Sequence, residues 1–329
     1  MHPDLVAALA CPLDGGGLRL EGRTLACGSG HRFDLARQGY ATLTAAALDH
    51  TGDSPAMLDR RSRVHGARLL AGIHAAVVDA VVGADAGADA GADDRTLADA
   101  GGATRDSRAH TARGPALPDG IVCDVGTGPG TYLAGVLDAL PDRAGLGVDV
   151  SKAAARRAAR CHPRAGAVVA DVWRGLPLRD GAVAVLLDVF APRNPGEFAR
   201  VVAPSGTLVV VTPDPDHLAG LRERVGMLDV PAGKAEQVAG EFAPAFRPMG
   251  TRQVHEQVAV SPGLAHDLAT MGPSGYHLDP ATLASELAPP TRERARASGD
   301  PPGTADPGTD PLTVTIAATV SRFQRRSST

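Results

Sequence analysis

Two short segments near the start of the chain carry side chains that bind metal ions. Cys11 and Asp14 lie in the first segment, and Cys27 and His31 lie in the second. A structural zinc site takes four ligands from two such segments, most often cysteine or histidine, and aspartate is a harder, less usual ligand. Two interpretations therefore stay open. Either these four side chains bind zinc, or the segments form a small ribbon that is held together by packing alone.

A second group of residues has the pattern of a nucleotide-binding loop. The apolar run 120–125 is followed by glycines at alternate positions and then by an amphipathic segment typical of a helix. Glycine permits a tight turn from strand to helix, and it lets a ligand approach the free N–H groups at the start of the helix. The candidate ligand-binding residues of this loop are Asp124, Gly126, Gly128, Pro129 and Gly130.

Two aspartates at the ends of the following strands indicate which nucleotide the loop would bind. Asp149 lies about 20 residues after the loop, where a carboxylate can bind both hydroxyls of a ribose. Asp171 ends the next strand, in a position suited to an adenine amino group. A dinucleotide-binding loop has a third glycine where this chain has Thr131. These features favour S-adenosylmethionine over NAD, the alternative being a glycine-rich turn without a ligand.

The elements that would position these residues alternate between strands and helices. Strands are predicted at 120–125, 144–148, 165–170, 182–187 and 207–211, and helices at 131–140, 151–160 and 195–202. This alternation predicts a mostly parallel, doubly wound α/β sheet with helices on both faces. The β-branched segment 312–323 predicts a last strand, which can pair antiparallel because no crossover helix follows it.

Changes in composition divide the chain into four parts. These are an N-terminal module at 1–45, a helical connector at 46–83, an insertion at 84–118 and an α/β domain at 119–329. A second insertion is predicted at about 289–311. Both insertions lack large apolar side chains, so they cannot offset the entropy of ordering and are expected to be flexible.

Composition also limits the class of protein. The 329 residues are 43% hydrophobic and carry a formal net charge of −4, which excludes a uniformly basic nucleic-acid-binding protein but leaves room for a local basic surface. No apolar run approaches the ~20 residues of a membrane helix. The first residues show no signal-peptide pattern, and four cysteines do not make a disulfide scaffold. The sequence therefore predicts a cytoplasmic protein.

Several longer blocks of sequence resemble one enzyme family. They are the Cys11-Pro12 pair and the segments 27–40, 149–152, 170–173, 176–181, 189–195, 212–218 and 271–274. Together they resemble the RlmA-type 23S rRNA (guanine-N1)-methyltransferases, in particular the actinobacterial TlrB branch that is linked to macrolide resistance. The resemblance covers nearly the whole chain outside the two predicted insertions.

The resemblance implies a Rossmann-like class I methyltransferase with a seven-stranded sheet and a zinc-ribbon-like module that recognises RNA. It implies methyl transfer from S-adenosylmethionine to N1 of one guanosine in a domain II hairpin of 23S rRNA, and through it resistance to tylosin-type or mycinamicin-type macrolides. The implied partner is 23S rRNA or the large ribosomal subunit, with no membrane. A homodimer is left open. The implied zinc ion would have Asp14 where the family has cysteine.

The resemblance also assigns residues that bind the methyl donor. It implies contacts from Gly128 and Pro129 in the glycine loop, from His217 after the fifth strand and from His74 in the connector. From the residues alone, His74 is equally well read as a solvated histidine, and His217 as a polar residue at the start of a helix.

Methyl transfer to guanine N1 requires the removal of the N1 proton. Asp188, at the end of the fourth strand, is the candidate general base, unless it merely ends a strand. Phe190 and Pro192 are the candidates to flank a flipped base. The candidate phosphate-binding residues are Arg32, Arg37, Arg60, Arg61, Arg63 and Arg193.

Two other functions stay open at this point. One is a methyltransferase that acts on a small molecule and has a repurposed N-terminal module. The net acidity and Asp14 favour it, and the block 33–40 opposes it. The other is a non-catalytic module that binds S-adenosylmethionine or RNA, which the intact glycine loop and Asp149 oppose.

Overall fold

The computed structural model describes residues 1–49, 52–83, 117–288 and 312–327. The two predicted insertions, at 84–118 and 289–311, lie outside the described residues except for Leu117 and Pro118.

The N-terminal module begins with a helix and continues as a small antiparallel sheet. Helix α1 spans Pro3–Ala8, and strands β1, β2 and β3 span Leu18–Glu21, Thr24–Cys27 and Arg32–Asp34. The three strands pair in the order β1-β2-β3. The fully buried side chains of Leu5, Leu9 and Leu25 belong to the same apolar core cluster as the α/β domain. The module is therefore packed against that domain.

Two helices form the connector, where the sequence pattern suggested one continuous helical segment. Helix α2 spans Pro55–Gly66 and helix α3 spans Ala71–Val82. The Ser54 side chain accepts a hydrogen bond from the Met57 amide and so caps the start of α2. Between the helices Arg68 adopts a positive φ of 60°. The break turns α3 away from α2 by 84°.

No single helix in the described ranges is long and apolar enough to cross a membrane. The bent α2–α3 pair meets the criteria of length and composition only when its two helices are taken together.

The central sheet has eight strands. Seven of them, β5 to β11, come from the α/β domain, as expected: Ile121–Val125, Gly145–Asp149, Ala165–Val169, Val183–Val189, Val202–Pro213, Phe246–Val260 and Leu312–Arg325. The eighth strand, β4 at Tyr40–Thr42, comes from the N-terminal module and pairs parallel with β7. It is too short to show a pattern in the sequence, and it extends the sheet into the module.

The order of the strands places a crevice at the centre of the sheet. The order is β10-β11-β9-β8-β5-β6-β7-β4, and β5 pairs parallel with both β6 and β8. Strands β6 and β7 thus lie on one side of β5, and the chain then crosses over to form β8 and β9 on the other side. Ligands of doubly wound sheets bind at such a switch point, outside the carboxyl ends of the strands. Strand β11 pairs antiparallel with β9 and β10, which confirms the expected last strand.

Helices cover both faces of the sheet. Helices α4 to α10 span Thr131–Ala139, Lys152–Ala158, Pro195–Val201, Ala219–Val225, Lys234–Phe242, Pro262–Thr270 and Pro280–Leu287. The predicted helices after β5, β6 and β8 are confirmed within a few residues. Strand β10 was not predicted, because most of its residues are exposed and it therefore lacks an apolar pattern.

Phe242 offers a test of the packing of α8. Its fully buried ring stacks on Phe198 of α6, with 5.9 Å between the ring centroids, and lies edge-on to Phe246, with 5.5 Å between centroids. We expect Phe242→Ala to lower the free energy of unfolding by about 3–5 kcal/mol, because it leaves a cavity in a closely packed core. Urea denaturation measures this loss. The exposed Met249→Ala is the control and should change stability by less than ~0.5 kcal/mol. An equal, small effect of both substitutions would contradict the packing.

Candidate functional site

A cavity of about 500 Å³ opens at the carboxyl ends of the parallel strands, where the strand order reverses. Its wall is built from the segments that follow β5 to β9, and from α2, α7 and α9. Eight of the twelve residues predicted to bind the methyl donor or to act on the base line it, namely Asp124, Gly126, Pro129, Asp149, Asp171, Phe190, Pro192 and His217. Four do not: His74, Gly128, Gly130 and Asp188.

The glycine loop follows β5, and its backbone adopts a conformation that residues other than glycine rarely adopt. Gly126, Gly128 and Gly130 have positive φ angles of 67°, 52° and 83°. A Cβ atom on Gly126 would lie 2.5 Å from the Cβ atom of Ala191, and one on Gly130 would lie 2.8 Å from Cys161 Sγ. Gly128 and Gly130 thus shape the loop from behind the cavity wall.

Asp149 is held in place by the backbone. Its Oδ2 atom accepts a hydrogen bond from the Gly128 amide at 2.9 Å, and its Oδ1 atom accepts one from the Ser151 amide at 2.8 Å. Burial raises the pKa of this carboxyl, and the two N–H groups oppose the rise. Each carboxylate oxygen can accept a second hydrogen bond. A ligand hydroxyl would therefore meet a fixed acceptor here.

Two further acidic groups lie in the same wall. The Asp171 Oδ1 atom accepts a hydrogen bond from the Trp173 amide at 2.9 Å and so caps the short helix 172–174. Asp124 is buried and accepts a hydrogen bond from Thr127 Oγ1 at 2.7 Å. Burial raises the pKa of Asp124 to about 7. Asp124 therefore changes charge near neutral pH.

The connector supplies part of the wall, and it includes Arg61, which the sequence offered only as a candidate to bind phosphate. Arg61 of α2 lines the cavity, pairs with Asp53 at 2.7 Å and donates to the Met271 carbonyl at 3.0 Å. His65 and Tyr132 line the cavity beside it. The connector was predicted as helical without its break, which lies at Arg68 between α2 and α3.

His74 lies behind His65 and Tyr132. Its ring stacks on the Tyr132 ring, with 4.1 Å between centroids, and its Nε2 atom lies 3.1 Å from His65 Nδ1. Burial lowers the pKa of His74, and it lowers the pKa of His65 to about 3, so both rings are neutral at pH 7. His65 lines the cavity, and His74, the position that the resemblance implied, contacts the His65 ring.

The end of the cavity that is formed by the segments after β8 and β9 is mainly apolar. Phe190 has a positive φ of 54° and stays 42% exposed, with its ring centroid 5.8 Å from that of His217. Burial lowers the pKa of His217 to about 4. Its Nδ1 atom accepts a hydrogen bond from the Ala317 amide at 3.2 Å, so the neutral ring carries its proton on Nε2. Arg222 of α7, which the sequence did not indicate, also lines this end.

Asp188, the candidate general base, is enclosed at the carboxyl end of β8, next to the cavity-lining Val189. Its register partner on β5 is Val125, so its side chain points to the same face of the sheet as Val125. It is fully buried, and neither carboxyl oxygen has a hydrogen-bond partner among the described residues. Arg193 Nε lies 3.7 Å from Oδ2. Burial raises the pKa of Asp188 to about 8, so at pH 7 the enclosed carboxyl holds its own proton.

The four metal-ligand candidates of the N-terminal module come together. His31 Nδ1 lies 3.4 Å from Cys11 Sγ, 3.3 Å from Cys27 Sγ and 3.2 Å from Asp14 Oδ2. Cys27 Sγ lies 3.6 Å from Asp14 Oδ2, and all four ligand atoms lie within 4.8 Å of one another. Tetrahedral zinc with usual bond lengths separates such ligands by roughly 3.4–3.8 Å. The donor set and its spacing therefore fit zinc.

Most of the arginines proposed to bind phosphate are paired with acidic groups. Arg63 makes two hydrogen bonds of 2.7 Å to Asp267, Arg32 pairs with Glu21 at 2.9 Å, and Arg193 lies beside Asp188. Arg60 reaches the Thr270 carbonyl at 3.5 Å, and Arg37 is exposed. The Arg63–Asp267 pair could not be predicted from the sequence because the two residues are 204 positions apart.

The raised pKa of Asp188 predicts how stability changes with pH. The folded protein binds this proton more tightly than the unfolded chain does, so the contribution to stability is present at low pH and is lost as pH rises through about 8. Between pH 6 and pH 9 the free energy of unfolding of the unmodified protein should fall by roughly 1–3 kcal/mol more than that of Asp188→Asn, because the asparagine side chain does not titrate. Urea denaturation at both values measures the difference. Parallel pH dependences of the two proteins would contradict the raised pKa.

The metal-ligand cluster predicts one zinc ion per chain. We expect elemental analysis of protein purified from zinc-supplemented medium to show this stoichiometry, and Cys27→Ser to abolish it because a soft thiolate ligand is lost. Cys161→Ser is the matched control, since Cys161 is remote from the cluster. The Asp14→Cys variant should still bind the zinc ion and should lose it to a chelator more slowly than the unmodified protein does. Zinc-free unmodified protein, or equal losses in both serine variants, would contradict the site.

Comparison with known proteins agrees with this arrangement. Residues 9–46 match the family model described as the RlmA N-terminal zinc ribbon. A protein of Micromonospora griseorubida that carries the name of a 23S rRNA (guanine-N(1)-)-methyltransferase is 40% identical over 98% of this chain and 99% of its own length. The 23S rRNA (guanine(748)-N(1))-methyltransferase of Streptomyces fradiae is 40% identical over 88% of this chain and 92% of its own.

A relative from Bacillus subtilis with a name of the same kind is 27% identical and covers 65% of this chain and 67% of its own length. The two relatives at 40% identity match from the zinc ribbon through the α/β domain that holds the cavity. The chain therefore belongs to the family of 23S rRNA (guanine-N1)-methyltransferases.

Proposed function

We propose that this protein transfers a methyl group from S-adenosylmethionine to N1 of a guanosine in 23S rRNA. The names of the relatives supply the substrate and the position of methylation. The observation that carries the proposal is the carboxylate of Asp149, fixed by two backbone N–H groups at the edge of a crevice beside a left-handed glycine loop. The proposal also places the enzyme in the cytoplasm, with 23S rRNA or the large ribosomal subunit as its partner.

The residues of the cavity fit S-adenosylmethionine. Asp149 would bind the ribose hydroxyls, and Asp171 would accept a hydrogen bond from the adenine amino group. The Tyr132 hydroxyl is buried without a hydrogen-bond partner at the glycine-loop end, where the methionine part of the donor would lie. Arg61 at the same end supplies a positive charge that can attract a carboxylate. When bound, the donor supplies a methyl group on a positively charged sulfur.

The chain's remaining task is to align the guanine and to exclude water. Phe190 and Pro192 lie in the wall, and the exposed Phe190 ring offers a face on which a flipped base can stack. The His217 Nε2–H group is a donor for a polar atom of the ligand or of the base. The zinc ribbon packs on the same domain and continues its sheet through β4, so RNA bound there would lie at a fixed position relative to the cavity.

A reverse-transcription stop tests the proposed function. Methylation at N1 blocks Watson–Crick pairing, so reverse transcriptase stops beside the modified guanosine. We expect unmodified 23S rRNA that has been incubated with the protein and S-adenosylmethionine to show one new stop in domain II, and rRNA incubated without the donor to show none. A stop at guanine 748 would match the position named for the Streptomyces fradiae relative. Absence of both the stop and labelled methyl groups in the RNA would contradict the proposal.

The same assay separates the alternatives. A protein that binds RNA or the donor without catalysis would leave the rRNA unmethylated, and a small-molecule methyltransferase would do the same. Growth of a sensitive host that carries the gene, in the presence of tylosin, tests the implied resistance. A reverse-transcription stop without growth in tylosin would support rRNA methylation but contradict the implied resistance.

Asp149→Asn tests the mode of donor binding. The substitution removes the charged acceptor for the ribose hydroxyls, and we expect the dissociation constant of S-adenosylmethionine to rise at least about tenfold. Isothermal titration calorimetry measures it. Asp142→Asn, in the exposed turn after α4, is the matched control and should bind the donor as the unmodified protein does. Unchanged affinity in Asp149→Asn, with its unfolding temperature unchanged, would show that the ribose lies elsewhere.

A further inference from the structure

We propose that Arg222 binds O6 of the target guanine and stabilises the anion that forms when N1 loses its proton. The inference rests on the proposed function, because it assigns a residue to the guanine of that reaction. It adds a specificity-determining and catalytic contact to a site in which Asp188 is buried and protonated at pH 7.

The first observation is the state of the Arg222 guanidinium. Its Nε and Nη1 atoms are buried and have no hydrogen-bond partner among the residues that the structure describes, while Nη2 donates to the Pro215 carbonyl. The described part of the chain offers it no carboxylate as an ion pair. Buried donors in folded proteins are almost always satisfied, and arginine keeps its charge at any accessible pH. Two buried N–H groups of this cation, on Nε and Nη1, are therefore free to donate to an acceptor with lone pairs.

The second observation is the position of Arg222 in the cavity. It lines the end formed by the segments after β8 and β9, together with Phe190, His217 and Leu218. Among the described residues at this end Arg222 is the one charged group, since burial keeps His217 neutral. The acidic wall residues Asp149 and Asp171 follow β6 and β7, on the other side of β5. A donor bound to those aspartates would present its sulfur towards the Arg222 end.

The surroundings make this positive charge effective. The neighbouring wall residues are apolar, so little water screens the charge, and electrostatic interactions are stronger than in bulk water. A negative charge that develops on a base in this end would lie near the Arg222 cation, and the nearby Asp216 carboxylate is paired with His255.

The chemistry of guanine supplies the matching anion. At neutral pH guanine N1 carries a proton, and its removal leaves a negative charge shared between N1 and O6. A cation at O6 favours this anion and lowers the pKa of N1, so water or hydroxide from the solvent can take the proton. The freed N1 electron pair then forms the bond to the methyl carbon while the carbon–sulfur bond breaks, leaving a neutral thioether and a neutral methylated base. Arginine is the commonest partner of guanine O6 and N7.

The pH dependence of single-turnover methylation tests this role. Arg222→Gln should lower the rate at pH 7 by about a hundredfold, and its rate should rise only at a pH at least one unit higher than for the unmodified protein. Arg222→Lys should lie between the two. Arg224→Gln is the matched control, since Arg224 lies on the same helix and reaches Glu286 at 3.9 Å. A lower rate with an unshifted pH profile would overturn the role.

Binding of RNA tests the same contact without catalysis. An RNA hairpin with 2-aminopurine at the target position lacks O6. The unmodified protein should bind the guanine hairpin about tenfold more tightly than this analogue, and Arg222→Gln should bind both equally. The affinity for S-adenosylmethionine should not change. Equal discrimination by both proteins, or a loss of donor affinity in the variant, would overturn the proposal.

The two proposals fail in different ways. If the unmodified protein gives no stop on 23S rRNA, the proposed function fails. If it methylates the RNA while Arg222→Gln keeps the same pH profile and the same preference for guanine, only the role of Arg222 fails.

Discussion

The hydrogen bonds between the Asp149 carboxylate and the backbone join the separate parts of the candidate site. One oxygen binds the Gly128 amide of the loop after β5, and the other binds the Ser151 amide at the start of α5. The glycine loop can bring its amide to this carboxylate because its glycines adopt positive φ angles and avoid the Ala191 and Cys161 side chains. The crevice at the centre of the sheet thus acquires a fixed acceptor before any ligand binds. Because this acceptor is already ordered, less conformational entropy is lost when a ligand binds.

Charge is distributed unequally along the cavity. Acidic groups follow β5, β6 and β7, whereas Arg222 lies beyond β8 and β9 among apolar side chains. This asymmetry suits a reaction with a cationic donor at one end and a base that becomes anionic at the other. In the proposed mechanism a cation near O6 makes N1 acidic enough for the solvent to take its proton. Asp188 is buried beside Arg193, and its raised pKa keeps the carboxyl protonated at pH 7.

The N-terminal module and the connector are integral to the same structure. Strand β4 extends the central sheet, and α1 contributes Leu5 to the core of the α/β domain. Helix α2 reaches the glycine loop through Arg61, whose pair with Asp53 fixes it in the cavity wall. A zinc ribbon attached in this way has a defined orientation relative to the crevice. The family similarity over nearly the full chain is consistent with such a coupled arrangement.

Local patterns in the sequence were enough to predict the features that depend on neighbouring residues. Alternating apolar runs predicted strands β5 to β9 and the helices between them, because periodicity reports which face of an element is buried. Local motifs of residue type and spacing were also enough to recognise the glycine loop, the aspartates at the ends of β6 and β7, and the cluster of Cys11, Asp14, Cys27 and His31. Strand β10 escaped notice because its side chains are mostly exposed, and the break at Arg68 because it lies inside a continuous apolar pattern.

Contacts between distant residues required the folded structure. The side of the sheet to which Asp188 points, the pairing of Arg63 with Asp267, and the place of His65 in front of His74 follow from strand register and helix packing. The same holds for Arg222, which has no motif around it and stands out only because its buried donors lack partners. A sequence pattern reports burial and local geometry. Which charged group faces which cavity depends on residues far apart in the chain, and only their packing brings these together.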